Sequence, residues 1–308
     1  MRVSGAPHLR DRRTTRSLML DVIIALLPAA GAGVYLFGPS ALAVILVSVA
    51  GAVISELLWE YIAKKPITVG DLSAVVTGLI LALTLPPGAP WWLALVGSAF
   101  AIVIVKQLFG GLGDNFLNPA LAARAVLLAS WPVGMTLYHA PSFFSGADAV
   151  TSATPLAGGS AGMLDLFLGN VPGSIGEVCK AAILLGLAYL LIRRVITWHI
   201  PVIYVGSFAV MMFALGGFEF SLEPVKAVLS GSVLFGASFM ATDYVTSPMT
   251  KKGQAVYAAG CGVINAIIRS FGNYPEGTTY AILIMNIVTP LIDRLGRRVY
   301  GTAKGGTK

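Results

Sequence analysis

Seven residues, Asp148-Ala149-Val150-Thr151-Ser152-Ala153-Thr154, have types and spacing suited to covalent chemistry. A hydroxyl that accepts a phosphoester must be exposed, flanked by little bulk and presented by a stiff backbone. Thr154 supplies the hydroxyl, and Ser152 and Ala153 are small. Pro155 biases Thr154 toward an extended conformation, because its ring crowds the residue before it. Asp148 and Thr151 would shape the turn or the metal site of a modifying enzyme. The same residues suit an ordinary turn, since Asp, Ser, Thr and Pro all favour turns for local reasons. Position weighs between the two readings. The segment lies in a polar, Gly-rich stretch, with no Lys or Arg from Pro132 to Val178, inside a mostly apolar chain.

The elements that must position this segment are apolar helices. Of 308 residues, 56% are hydrophobic and 11% are charged, against about 25% charged in soluble domains. Apolar runs recur along the whole length, which excludes a soluble domain with a single anchor. The net charge of +7 does not indicate nucleic acid, because Lys and Arg cluster in short loops between apolar runs. Cys179 and Cys261 border or enter apolar runs and no CxxC occurs, so they read as inert thiols. An iron–sulfur or zinc site built by this chain alone is not expected, and the scattered Met residues read as packing. Arg10, Arg12, Arg13 and Arg16 precede Leu18–Phe37, which is long enough to span and reads as a retained first helix rather than a signal peptide.

The chain is therefore expected to be an all-α integral membrane protein of about ten transmembrane helices. The spans are drawn at 18–37, 41–62, 71–85, 91–109, 118–131, 179–192, 200–216, 225–241, 254–269 and 278–293. This drawing places 17 of the 21 basic residues on one side, leaving Arg124, Lys180, Lys226 and Arg269 within or beside spans. Basic loops stay cytoplasmic, so both termini are expected inside and the 132–178 loop outside. The polytopic domain covers 1–308, as halves of about 1–131 and 179–308 joined by that loop. Span 71–85 is about 22 Å long at 1.5 Å per residue, short of a core of roughly 30 Å. It runs into Pro86-Pro87-Gly88-Ala89-Pro90, so a broken or re-entrant element is expected. Thr77-Gly78 parallels Ser230-Gly231, Lys106-Gln107-Leu108-Phe109-Gly110 parallels Arg269-Ser270-Phe271-Gly272, and Asn118-Pro119 loosely echoes Asn286 and Pro290. With five spans per half, this suggests an inverted repeat.

Polar groups at membrane depth are candidates for function because burying them is costly. Arg124 would hold a flavin or pair with Asp114, Asp243 or another acid; the interhelical pair is the plainer reading. Asn118 would cap the fifth helix or bond a cofactor, and Pro119 at the next position favours the cap. Asp21, Glu56, Glu60 and Asp71 lie near cytoplasmic span ends and read as solvated rather than as an ion path.

The whole chain resembles the NqrB/RnfD family. This family comprises RnfD, a membrane component of the Rnf ferredoxin:NAD⁺ oxidoreductase, and NqrB, a membrane component of the sodium-translocating NADH:quinone oxidoreductase. The resemblance rests on Asp148 to Leu156, on Gly110-Gly111-Leu112-Gly113-Asp114-Asn115-Phe116-Leu117-Asn118-Pro119-Ala120 and on Asp243-Tyr244-Val245-Thr246-Ser247-Pro248. The first span begins by Leu18, where the quinone-reductase homologue typically has a longer N-terminal extension, which favours Rnf.

The resemblance implies FMN held covalently on Thr154 by a phosphoester, installed by a flavin transferase. Asp148, Thr151 and Ala153 match the recognition pattern, and Ser152 stands where Gly is frequent. It implies a second, noncovalent flavin (riboflavin or FMN) toward the cytoplasmic side. Asn118 and Arg124 are the candidates for it from the polar groups above. The implied partners are the other Rnf subunits, among them a second covalent-flavin subunit and membrane iron–sulfur subunits, in the inner membrane of a bacterium or archaeon. NAD⁺ and ferredoxin would be handled by partners, since no nucleotide fingerprint is present. The alternatives are the quinone-reductase homologue NqrB, a secondary transporter or channel, and a scaffold without cofactor.

Overall fold

The computed structural model describes residues 13–141, 162–217, 223–272 and 277–296. Asp148, Thr151, Ser152, Ala153 and Thr154 lie outside the described residues. Among the described residues every extended regular element is helical. Helix α1 (Thr15–Phe37) starts at Thr14, whose hydroxyl accepts from Ser17 N while Ser17 reaches back to Thr14 N. This capping box satisfies donors that the first turn would otherwise leave open. Gly38, at φ 74°, ends α1, and Pro39 opens α2 (Pro39–Ile62). Both helices are long and apolar enough to cross a membrane.

After a 3-10 turn over Val69–Asp71 come α3 (Ser73–Thr84), α4 (Trp91–Ala99, continuing as π turns over Phe100–Gln107), α5 (Pro119–Ser130), α6 (Pro132–Met135) and α7 (Met163–Leu168). After them come α8 (Lys180–Ile192), α9 (His199–Leu215), α10 (Glu223–Leu229) and α11 (Val233–Phe235, with π turns over Gly236–Met240). The last two are α12 (Lys251–Phe271) and α13 (Thr278–Gly296). Helix occupies each of the ten expected segments. Leu46, Ile54, Leu185 and Val210 stay more than half exposed on the bundle's flanks, as side chains facing lipid do.

Helix α3 is the centre of the first half. It is apolar on every side and buried from Leu79 to Leu85, the pattern of a fully enclosed helix. A Cβ on Gly78 would meet Ser48 O and Val49 Cα at 2.9 Å, so glycine permits the close approach of α2. The helix stops at Leu85, which turns extended ahead of the prolines. The expectation of a broken third element therefore agrees with the structure.

Two expectations are corrected. The 132–178 stretch is not wholly outside the helical core. Val171, Ile175 and Val178 belong to the buried cluster. Ile175 N donates to Leu85 O (3.1 Å) and Gly176 N to Leu83 O (2.8 Å). These carbonyls end α3 and have no helical partner of their own, so the chain after α7 folds in to supply donors. The expected continuous span 225–241 is also interrupted, between α10 and α11. Gly231 there takes φ 65°, a conformation that the residue's missing Cβ makes accessible.

Candidate functional site

One end of the bundle gathers the basic loops. Arg13 donates to Arg194 O (3.0 Å), and Arg193 pairs with Asp21 (3.3 Å). Thr197 donates to Gln254 (3.0 Å), and the Tyr244 hydroxyl donates to Val195 O. The start of α1, the end of α8 and the start of α12 therefore meet at the same end.

A cavity opens there between the two halves. Its apolar walls include Val22, Ile80 and Phe239, and its polar groups include Lys106, Asn115, Asn118, Thr242 and Asp243. Asn118 accepts from Ala120 N (3.1 Å) and Leu121 N (3.3 Å), so it caps α5 as the sequence suggests. Its amide also donates to Met240 O (3.3 Å), which ties α5 to the π turns after α11. Asp243 accepts from Val245 N (3.4 Å) and Thr246 Oγ1 (3.2 Å). Burial pushes its carboxyl up from the ordinary value, partly offset by these two bonds.

Arg124 does not border this cavity. Its guanidinium meets Glu177 Oε1 at 2.8 Å, both side chains almost wholly buried. The plainer reading of Arg124, a pair with another acid, is the one found: the partner is an acid that the infolded segment after α7 brings in. Lys180 is buried beside the pair and donates to the carbonyls of Glu177 and of Gly231 (2.8 Å). Arg269 donates to Ala227 O (2.6 Å) and Ser230 O (3.3 Å), and its guanidinium carbon lies 5.0 Å from the Phe208 ring centroid. Two cations thus hold the carbonyls exposed by the break between α10 and α11, where a helix end favours positive charge.

The reading of Glu56 and Glu60 as solvated is also corrected. Glu56 is 0% exposed and Glu60 1%. Lys106 Nζ lies 2.5 Å from Glu56 Oε1 and 2.6 Å from Ser73 Oγ, and Gln107 donates to the same Glu56 oxygen at 2.9 Å. Ser73 in turn donates to Asp71 Oδ1 (2.5 Å), and Thr68 donates to Glu60 through its amide and hydroxyl. Lys106 and Gln107 are neighbours in sequence yet both reach Glu56, because the π turns of α4 alter the angle between successive side chains. Sequence reading missed this cluster. It counted Lys106 as a basic residue closing the fourth span on the cytoplasmic side, and no spacing rule joins positions 56, 73 and 106.

The NQR2, RnfD, RnfE family model matches residues 2–301. The D component of the Na(+)-translocating ferredoxin:NAD(+) oxidoreductase complex of Acetobacterium woodii is 50% identical, over 98% of this chain and 96% of that protein. The proton-translocating counterpart of Clostridium ljungdahlii is 43% identical over the same shares. The D component of the ion-translocating oxidoreductase complex of Escherichia coli is 35% identical over 99% of both. With a match along nearly its whole length, the chain belongs to the NQR2, RnfD, RnfE family.

Proposed function

We propose that this chain is the RnfD component of an ion-translocating ferredoxin:NAD⁺ oxidoreductase complex, carrying electrons through FMN bound covalently at Thr154. The observation that carries the reading is the 50% identity, across 98% of the chain, to the D component of such a complex, joined to the Asp148–Thr154 sequence. The family also takes in NQR2, yet the relatives above are D components of ferredoxin or ion-translocating oxidoreductase complexes. On this reading ten spans form an inverted repeat of five plus five in the cytoplasmic membrane. The basic end is cytoplasmic, and the Thr154 loop lies outside. Two features support the repeat. The third and eighth segments are both broken, at 85–90 and at 230–232. The matched cations Lys106 and Arg269 each bond to the segment so broken in their own half.

The cavity at the basic end is the place for the noncovalent flavin. A planar, largely apolar ring with polar edges fits apolar walls that carry a few amide and hydroxyl groups. Val22, Ile80 and Phe239 would enclose the ring. Asn115, Asn118 and Thr242 would bond its edge, and Asp243 would hold or release a proton beside it. A bound flavin supplies one- and two-electron chemistry, while the protein fixes its position and surroundings. Iron–sulfur and covalent-flavin partner subunits, ferredoxin and NAD⁺ belong to the rest of the complex, and a flavin transferase completes Thr154.

The test is in-gel fluorescence of denatured, washed protein from a host containing the transferase. A fluorescent band lost in Thr154→Val is expected. A dark wild-type band would favour a transporter or scaffold, and a bright Thr154→Val band would move the attachment elsewhere.

A further inference from the structure

Charge buried without full compensation is rarely retained for stability alone. Glu56 is fully buried, yet its Oε2 atom has no hydrogen-bond partner. An orphaned oxygen costs most on a charged carboxylate, and a proton lowers that cost by neutralising the group.

We propose that Asp71, Ser73, Lys106 and Glu56 form a proton relay from the basic end of the bundle to a binding site at Glu56, so that the ion taken up here is H⁺. Three contacts make the relay continuous: Asp71 Oδ1 to Ser73 Oγ at 2.5 Å, Ser73 Oγ to Lys106 Nζ at 2.6 Å, and Lys106 Nζ to Glu56 Oε1 at 2.5 Å. Its outer end is open, because Asp71 borders a cleft shared with Glu60, Lys65 and Gln107. Ser73 and Lys106, the middle of the relay, line the cavity between the halves, while Glu56 is closed off behind Lys106.

The proton step balances without electrons. An N–H bond of the Lys106 ammonium breaks and an O–H bond forms on Glu56, leaving a neutral amine beside a neutral acid. The amine then takes the Ser73 hydroxyl proton, Ser73 takes the proton of a protonated Asp71, and Asp71 is reprotonated from water in the cleft. One proton has then moved from the cleft to Glu56. The bonds present run from Lys106 to Ser73 and from Ser73 to Asp71. That is the polarity a chain has after a proton has passed inward along it.

A metal cation fits less well. The ammonium occupies the point between Glu56 Oε1 and Ser73 Oγ where a cation would sit. Gln107 turns a donor, not an oxygen, toward Glu56. Among the described residues no three His, Cys, Asp or Glu side chains form a metal-ligating group.

The relay rests on the reading of the chain as an Rnf component, so each variant is checked for both. The complex is purified, reconstituted in liposomes and driven with reduced ferredoxin and NAD⁺. Lumen acidification, sodium uptake and the in-gel flavin band are recorded. Wild type should acidify the lumen without sodium, and an uncoupler should abolish the signal. Lys106→Arg keeps the positive charge but cannot give up a proton. It should keep the in-gel flavin band, and the protons moved per electron transferred should fall. Asp71→Asn, at the open end, should slow acidification with electron transfer intact. The double variant Glu56→Gln/Lys106→Met buries no charge and covers the case in which Lys106→Arg fails to assemble. It too should lose acidification. Acidification at the wild-type rate by any of the three overturns the relay, as does sodium uptake by wild type that resists the uncoupler. A dark flavin band faults the Rnf reading instead.

Discussion

The two halves bury polarity in different forms. The first half encloses ions, with Glu56 against Lys106, and with Arg124 against Glu177 from the joining segment. The second half fastens its helices mainly with neutral groups. Asn265 donates to Tyr204 (3.1 Å) and Thr278 (3.1 Å), joining α12 to α9 and α13. Asn286 meets the Tyr257 hydroxyl at 2.8 Å, joining α13 to α12. Neutral bonds suffice to hold helices together, and a buried ion pair is often no more stabilising than apolar side chains of similar volume. Glu56 and Lys106 are therefore better explained by what they carry than by what they hold.

The largest test of this contrast is Lys106→Met. Removing the cation leaves Glu56 buried with a charge and only Gln107 as donor. The expected loss is about 3–5 kcal/mol. It can be read as the temperature at which buried Cys261 becomes reactive to a thiol dye in detergent. Adding Glu56→Gln should restore most of the loss. If Lys106→Met alone melts like wild type, Glu56 is already neutral at rest and the charge contrast between the halves disappears.

A smaller effect belongs to the second half. Asn286→Leu removes the bond to Tyr257. With its amide oriented by its neighbours, it also removes an acceptor 3.2 Å from Asn118 N. Interhelical bonds in membrane bundles contribute about 0.6 kcal/mol on average and about 1.7 at most, so the same dye assay should show a modest shift. A loss as large as that of Lys106→Met would mean that neutral bonds are as critical as ions here.

What the sequence shows and what it hides follow the same division. Helix positions were legible because apolar runs, Pro39, Pro119 and the Pro86–Pro90 stop are local signals. The Asn118 cap was legible for that reason too. Glu56 and Lys106 were misjudged, and Glu177 as the partner of Arg124 went unseen, because their burial depends on contacts across 50 or more positions. A charge near a span end looks solvated until a partner from another helix covers it. The break at 230–232 was half visible: Ser230-Gly231 was matched to the broken third segment, yet the span was drawn as continuous. The apolar residues on both sides hid a turn that depends on Lys180 and Arg269 to satisfy its carbonyls.

The smallest effect separates buried charge from charge as such. Arg193 lies at the basic end, its side chain 58% exposed, 3.3 Å from Asp21. The Tyr189 hydroxyl also donates to Asp21, at 2.9 Å, so the carboxylate keeps a partner when the guanidinium is removed. Although Asp21 itself is largely buried, the guanidinium stands in water, where solvent and salt screen its attraction and its long side chain must be held in place. Arg193→Gln should therefore leave the melting point and uncoupled electron transfer unchanged, and added salt should move wild type and variant alike. The pair has the same kind of charges as Glu56 and Lys106 and differs from them chiefly in its cation's access to water. A clear destabilisation by Arg193→Gln would show that the basic end, and not burial, sets the cost of losing a cation, and the contrast between the halves would have to be redrawn as one between the two ends.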